Sequence, residues 1–329
     1  MTGVAQSLRG RLGGDGLSWR AYGLPIALLL ILVAGTLTSP FFLLDFGTGE
    51  IRWGNIVNIL VQSSVIGILA VGMTYVILTG GIDLSVGAVI ALAGVAAASF
   101  QEFGAAAMVI AGVTTGIGVG IVNGLLVSVG RVVPFIATLA TLTIARGLAL
   151  TITGASPIRV RDQTYVQVGA GYLAGVIPYV VVIAAVVVFL GWFGLTRTSF
   201  GREIYAVGGN REAARLSGIP VRRTTFLAYV IAGVCAGIAA VLVSARTATA
   251  QPSAGQGNEL DAIAAVVVGG VSLFGGVGSI VGTVFGVLIL TTITNIFVLQ
   301  NMSFDAQLIV KGVIILAAVM LQRRPGDDG

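Results

Sequence analysis

Long apolar runs separated by short polar punctuation set the pattern of this chain. Residues 21–44, 53–82, 84–101, 104–130, 163–196, 224–245 and 262–304 contain no Asp, Glu, Lys or Arg. A helix that crosses a bilayer needs roughly 20 apolar residues, so most of these stretches hold at least one span. Gly, Pro and charged punctuation divides the pattern into predicted spans near 22–44, 55–80, 84–101, 105–129, 133–153, 176–195, 224–245, 259–275, 277–299 and 304–321. Gly275 and Gly276 separate the eighth from the ninth, which otherwise form one apolar run. The expected fold is therefore all-α, a polytopic membrane protein of about ten transmembrane helices.

The basic residues orient it. The longest polar interruption, 196–223, carries Arg197, Arg202, Arg211, Arg215, Arg222 and Arg223, and basic residues in short loops stay on the cytoplasmic side. With six spans before this loop and four after it, both termini are expected in the cytoplasm, together with Arg9, Arg11, Arg20, Arg323 and Arg324. Arg131 falls inside as well, leaving Arg52, Arg159, Arg161 and Arg246 outside. The organisation expected is a cytoplasmic segment 1–20, one membrane domain over 21–322 with its cytoplasmic loop at 196–223, and a cytoplasmic tail at 323–329. The first apolar stretch follows three arginines, as in a signal peptide, but exceeds the usual roughly 7–15 apolar residues. It is read as an uncleaved anchor.

Composition agrees and narrows the chemistry. Hydrophobic residues make up 56% against 9% charged, with a mean hydropathy of +1.03; a bilayer, not water, must solvate that surface. Glycine contributes 48 of 329 residues, about twice the usual share of roughly 7%. Gly112, Gly116, Gly120 and Gly124 recur every fourth residue and form a smooth ridge that a neighbouring helix can approach closely. The net charge of +5 comes from arginines dispersed among apolar spans, which is no nucleic-acid footprint. His is absent, Cys235 is the single cysteine, and no acids cluster with metal-ligand spacing, so nucleophilic, metal and acid/base catalysis lose their usual groups. The single lysine, Lys311, follows no glycine-rich phosphate loop. If ATP drives this chain, another polypeptide must bind it.

Polar groups at membrane depth are costly, roughly 2.5 kcal/mol or more for a charge at the centre. Asp83, between the second and third spans, reads as a helix N-cap or as a gating ion-pair partner. Arg146 has uncharged sequence on both sides and needs a partner or a water-filled path; Asp83 is the first candidate for it. Lys311 reads as structural or snorkelling, and Asn123 and Asn295 as helix-to-helix hydrogen-bonding residues. In 210–219, NREAARLSGI, Asn210 is a good N-cap, Glu212 suits a first turn and Gly218 a helix stop. At roughly two turns such a helix is too short to persist alone, so it must dock; the plainer alternative is a basic loop that only orients the chain.

Five stretches in order carry a resemblance: LAVGMTYVILTGGIDLS at 69–85, PFIATLATLTIARGLAL at 134–150, FGREIYAVGGNREAARLSGIPVRR at 200–223, QPSAGQGNELDAIAAVVVGGVSLFGGVGSIVGT at 251–283 and QLIVKGVIILAAV at 307–319. The chain resembles the permease subunits of bacterial ribose-type sugar ABC importers over nearly everything but the first 50 residues. The resemblance implies a bacterial inner-membrane complex of two permeases, a cytoplasmic ATPase that binds ATP and Mg, and an extracytoplasmic sugar-binding protein, with no cofactor in this chain. It places the ATPase-coupling segment on Glu212, Ala213, Ala214, Arg215, Leu216, Ser217, Gly218 and Ile219, with Leu216 and Ile219 inserting into the ATPase and Ala213 and Ala214 permitting close approach. Asp83, Asn123, Arg146 and Asn295 are the candidate pathway or gating residues. The competing class is a self-contained secondary transporter for a small polar solute, which ordinarily shows intramembrane carboxylates or broken helices.

Overall fold

The computed structural model describes residues 15–44 and 49–320, so Arg9, Arg11, Arg323, Arg324 and the 323–329 tail lie outside the described residues. Its helices are α1 Asp15–Thr38, α2 Trp53–Leu78, α3 Val86–Ser99, α4 Ala105–Ser128, α5 Pro134–Thr153, α6 Gln163–Ala170, α7 Tyr179–Arg197, α8 Ser199–Gly209, α9 Arg211–Leu216, α10 Val221–Thr247, α11 Asn258–Val268, α12 Ile280–Leu299 and α13 Phe304–Met320. A helix overlaps each of the ten expected segments. Six of them, α2, α4, α5, α7, α10 and α12, are long and apolar enough to cross a membrane.

The expected lengths need correction at three places. The first helix stops at Thr38 instead of 44, because Ser39 and Pro40 open a turn leading to an isolated bridge between Leu44 and Ile51. Helix α3 has 14 residues and α11 has 11; at 1.5 Å per residue these span about 21 and 17 Å, short of the roughly 30 Å hydrocarbon core. The all-α expectation also misses four two-residue strands. β1 (Ile158–Arg159) pairs antiparallel with β4 (Thr249–Ala250), and β2 (Tyr172–Leu173) with β3 (Ile177–Pro178). These ribbons and α6 gather at one end of the bundle, the ribbon end; 196–223 lies at the other, the loop end.

Helices α2 and α10 are the most buried spans, whereas α4, α5 and α7 turn exposed apolar side chains such as Ile110, Ile136, Ile144 and Phe189 outwards. The glycine ridge of α4 meets α10 as the four-residue period predicts. Gly112, Gly116, Gly120 and Gly124 are all buried. A Cβ at Gly116 would sit 2.7 Å from the Gly237 Cα, one at Gly120 2.6 Å from the Tyr229 carbonyl, and one at Gly124 2.8 Å from the Phe226 ring. On the opposite flank, α2 and α12 are joined by polar rungs: Asn55 and Asn295 exchange two amide hydrogen bonds of 2.9 Å, Ser63 Oγ lies 2.6 Å from Thr291 Oγ1, and Thr74 Oγ1 lies 2.8 Å from Thr283 Oγ1.

Helix breaks occur where glycine closes the backbone. After α2, Gly80 (φ 79°) lets its own N–H donate to Ile77 O at 2.8 Å and the Gly81 N–H to Val76 O at 3.1 Å. After α11, Gly270 (φ 86°) does the same, with its N–H on Val267 O and the Val271 N–H on Val266 O. Left-handed residues here satisfy carbonyls that lipid could not.

The ridge makes a test. Gly120→Ala should lower the thermal midpoint of the detergent-purified protein, by an overpacking cost of about 1–3 kcal/mol. Gly118→Ala, where a Cβ meets nothing within 4 Å, should be neutral or stabilising by up to about 1 kcal/mol. Equal effects of the two would refute a backbone-contact role for the ridge.

Candidate functional site

The two short helices begin beside each other within the bundle. The segment 251–257 descends from β4 to the start of α11, and there Gly255 and Glu259 pack on Gly87, the second residue of α3: a Cβ at Gly87 would fall 2.5 Å from the Gly255 carbonyl and directly on Glu259 Oε2. Each helix start has at least one acidic side chain against it, which suits the positive end of a helix dipole. At α11 these are Glu259 and Asp261. Glu259 Oε1 accepts from the Gly257 N–H at 3.3 Å, while Oε2 is buried and unpaired among the described residues.

At α3 the acid is Asp83. The expectation of a capping residue is corrected in detail: Ser85 is the N-cap, and Asp83, 1% exposed, accepts at Oδ1 from the Ser85 N–H (2.8 Å) and hydroxyl (2.6 Å). Asn123 of α4 donates to Ser85 Oγ at 2.8 Å, and its own carbonyl accepts from Thr141 of α5 at 2.7 Å. One fully buried network therefore ties α3, α4 and α5. Tyr229 of α10 approaches from the other side, where a Cβ at Gly81 would sit 2.5 Å from its hydroxyl.

The expected pairing of Arg146 with Asp83 does not occur. Arg146 Nη1 donates instead to Pro252 O and Ala254 O, at 2.8 Å each, and the carboxylate that acts on it electrostatically is Glu259. The reason is positional. Arg146 lies in the ribbon-ward half of α5, level with the descending 251–257 segment, whereas Asp83 precedes α3 at the depth of Thr138 and Thr141. Lys311 finds a definite partner too, with Nζ 3.0 Å from Asp261 Oδ1 and 3.1 Å from Oδ2. A partly buried ion pair thus fastens α13 to the start of α11.

The loop end is built differently. Asn210 caps α9, its Oδ1 accepting from the Glu212 and Ala213 N–H groups at 3.1 and 2.9 Å, and Gly218 (φ 82°) reverses the chain after Ser217. Arg215 Nε donates to Glu212 Oε2 at 3.1 Å, and that bond together with the neighbouring charge holds the Glu212 carboxyl below its ordinary pKa. Two expectations are corrected by packing. Ala214 is 4% exposed and joins Val207 and Val221 in a small core against which Ile219 also packs, so both face the protein's own body. Leu216, two residues beyond Ala214 and so about 160° around the helix, is 74% exposed. The helix is backed by α8, whose Gly208 touches the end of α2: a Cβ there would collide with Leu78 O and with the Gly276 N–H, which itself donates to Leu78 O at 3.0 Å.

The comparisons fit this architecture. The family described as branched-chain amino acid transport system / permease component matches residues 55–319. The chain belongs to that permease family. The ribose import permease protein RbsC of Bacillus subtilis (strain 168) is 42% identical over 304 residues, 91% of each chain, and RbsC of Escherichia coli (strain K12) is 44% identical over 303 residues, 90% of this chain and 91% of its own. The D-allose transport system permease protein AlsC of Escherichia coli (strain K12) is 40% identical over 311 residues, 93% of each. No solved structure matches the chain. The ribose-type resemblance carried by the five motifs is thereby borne out, and the permease is a multi-pass membrane protein.

Of the candidate pathway residues, Asp83 and Asn123 meet in one network, Arg146 is held by carbonyls of the 251–257 segment that leads to Glu259, and Asn295 stands apart on the α2–α12 flank. Glu259, Asp261, Tyr229 and Asn55 escaped the sequence reading. The signal for the first two was present in NELD at 258–261, three polar residues opening an otherwise apolar segment. If Arg146 and Glu259 act on each other, Arg146→Gln and Glu259→Gln should each destabilise the permease, and the double variant should be milder than their sum by about 0.5–3 kcal/mol. Additive losses in thermal denaturation would exclude the pairing.

Proposed function

We propose that the permease is the membrane-spanning subunit of an ATP-binding cassette importer for a monosaccharide in the bacterial inner membrane. The observation that carries this reading is the match to sugar import permeases along some nine-tenths of the chain. In this reading the ten helical segments form the membrane domain with both termini in the cytoplasm, the short helices α3 and α11 crossing together with the non-helical stretches beside them. The arginines of 196–223 support that orientation. A second permease copy, a cytoplasmic ATPase that holds ATP and Mg, and an extracytoplasmic sugar-binding protein complete the assembly.

Coupling to the ATPase is assigned to 210–219, with Leu216 as its anchor. An exposed leucine at the outward tip of a capped two-turn helix suits insertion into a groove of a partner, while Ala214 and Ile219 transmit its displacement to α8 and α10. The half-helix starts at Asp83–Ser85 and Gly257–Glu259 are the proposed gating elements, because non-helical backbone at membrane depth is tolerated only where protein or a polar cavity covers it.

Two results test the assignment. In the assembled complex, Leu216→Asp should cut ATP-driven uptake at least tenfold, equivalent to about 1.4 kcal/mol or more at the contact, with membrane insertion unchanged; wild-type uptake would reduce the loop to an orientation signal. Reconstituted alone, the permease should neither hydrolyse ATP nor import sugar. Sugar uptake driven by a proton or sodium gradient in liposomes holding this chain alone would replace the importer with a secondary transporter.

A further inference from the structure

We propose that the loop end of the permease carries a binding site for the headgroup of an anionic phospholipid. The ends of three spans meet there, α4 at Ser128, α5 at Pro134 and α10 at Val221, and together with α9 they surround a pocket of about 490 Å³. Its lining combines the apolar Val127, Val132 and Val133 with Arg131, Arg211, Arg215 and Arg222, against the single carboxylate of Glu212. Glu212 is taken by Arg215. Arg131, Arg211 and Arg222 are exposed and make no ion pair among the described residues.

Three uncompensated guanidinium groups around one pocket repel each other until an anion enters, and a phosphate suits their planar, multiply donating geometry. The pocket is also held in shape. Arg131 sits in the left-handed region (φ 55°) of a tight turn in which the Gly130 N–H donates to Leu125 O at 2.9 Å and the Val132 N–H to Leu126 O at 3.0 Å.

The surroundings favour a lipid over a soluble phosphate or an acidic protein surface. From the pocket, α5 runs into the membrane domain with Phe135, Ile136 and Leu139 exposed, and α4 returns alongside it with Leu125 and Val129 exposed. A headgroup in the pocket therefore has apolar surface directly beneath it for its acyl chains, the arrangement expected of a basic pocket between helices at a membrane face. Leu216, the proposed contact for the ATPase, is exposed and does not line the pocket, which lies between α9 and the span ends. The site requires only that these span ends lie at a membrane surface, and so stands independently of the sugar-importer assignment.

The test uses the full-length permease purified in a neutral detergent, with binding of phosphatidylglycerol, phosphatidylcholine and inorganic phosphate followed by native mass spectrometry. Phosphatidylglycerol should bind saturably and at least tenfold more tightly than phosphatidylcholine. The double substitution Arg131→Gln/Arg222→Gln should weaken it at least tenfold, while Arg246→Gln, at the ribbon end, should not. Equal binding of the two lipids, binding unaffected by the double substitution, or inorganic phosphate held as tightly as the lipid would each overturn the proposal. So would a folded double variant that keeps its lipid but no longer assembles with the ATPase, since the pocket would then belong to the protein partner. Should the double variant fail to fold, photo-crosslinking of the wild type with a headgroup-labelled phosphatidylglycerol decides: adducts on 127–134 and 211–222 support the site, and adducts confined elsewhere refute it.

Discussion

The contact on which the rest of this structure depends is the backbone approach of α4 and α10. In lipid no hydrophobic effect presses one apolar helix against another, so association relies on dispersion between surfaces that fit closely. Gly116 and Gly120 of α4 meet Gly233 and Gly237 of α10 with no side chain between them; even a methyl at Gly233 would meet the Gly120 Cα at 2.8 Å. That places α10 at the centre. From there its Tyr229 reaches the linker after α2, its Ser244 meets the Tyr165 hydroxyl of α6 at 2.7 Å, and its far end leads through β4 into the descending 251–257 segment.

A second constraint follows, because the central helix is flanked by two, α3 and α11, that are too short to cross as helix alone. Every N–H and C=O freed where α3 and α11 begin must find a partner inside the protein, since lipid offers none. The polar residues at depth answer this requirement one by one. Ser85 and Gly257 have N–H groups taken by Asp83 and Glu259, and the carbonyls of Pro252 and Ala254 are taken by Arg146. Charge at membrane depth here is the complement of broken backbone.

That explains what could be read from the sequence and what could not. The four-residue glycine period and the apolar runs are local signals, and they gave the ridge and the positions of ten helical segments correctly. The hydrogen-bonding role of Asn123 and Asn295 was legible for the same reason, as an amide within an apolar span must find a partner. The lengths of α3 and α11 were less legible: α3 falls two residues short of the expected 84–101 at each end, and 269–275, expected to be helical, instead forms turns opened by Gly269 and Gly270. The partner of Arg146 was not legible: pairing it with the nearest intramembrane acid in sequence ignored depth, and depth depends on where 251–257 descends. Ala214 and Leu216 differ in orientation by a packing partner, Val207 with Val221, that lies outside their own motif.

The same packing suggests how the two ends of the proposed machine communicate. Helix α9 cannot shift without α8 and the start of α10, since Ala214 is locked between Val207 and Val221. Helix α8 in turn meets α2 and the 275–276 turn through Gly208 and Gly209 at backbone distance, and Tyr205 holds the same turn by donating to Gly278 O at 2.9 Å. A soft side chain at these points would absorb a displacement; glycine against a carbonyl does not. In the proposed importer a movement of α9 would reach the end of α2, just before Asp83, and the turn that follows α11, the two places beside the half-helices. In that arrangement the small residues of the loop end serve transmission as directly as those of the ridge serve assembly.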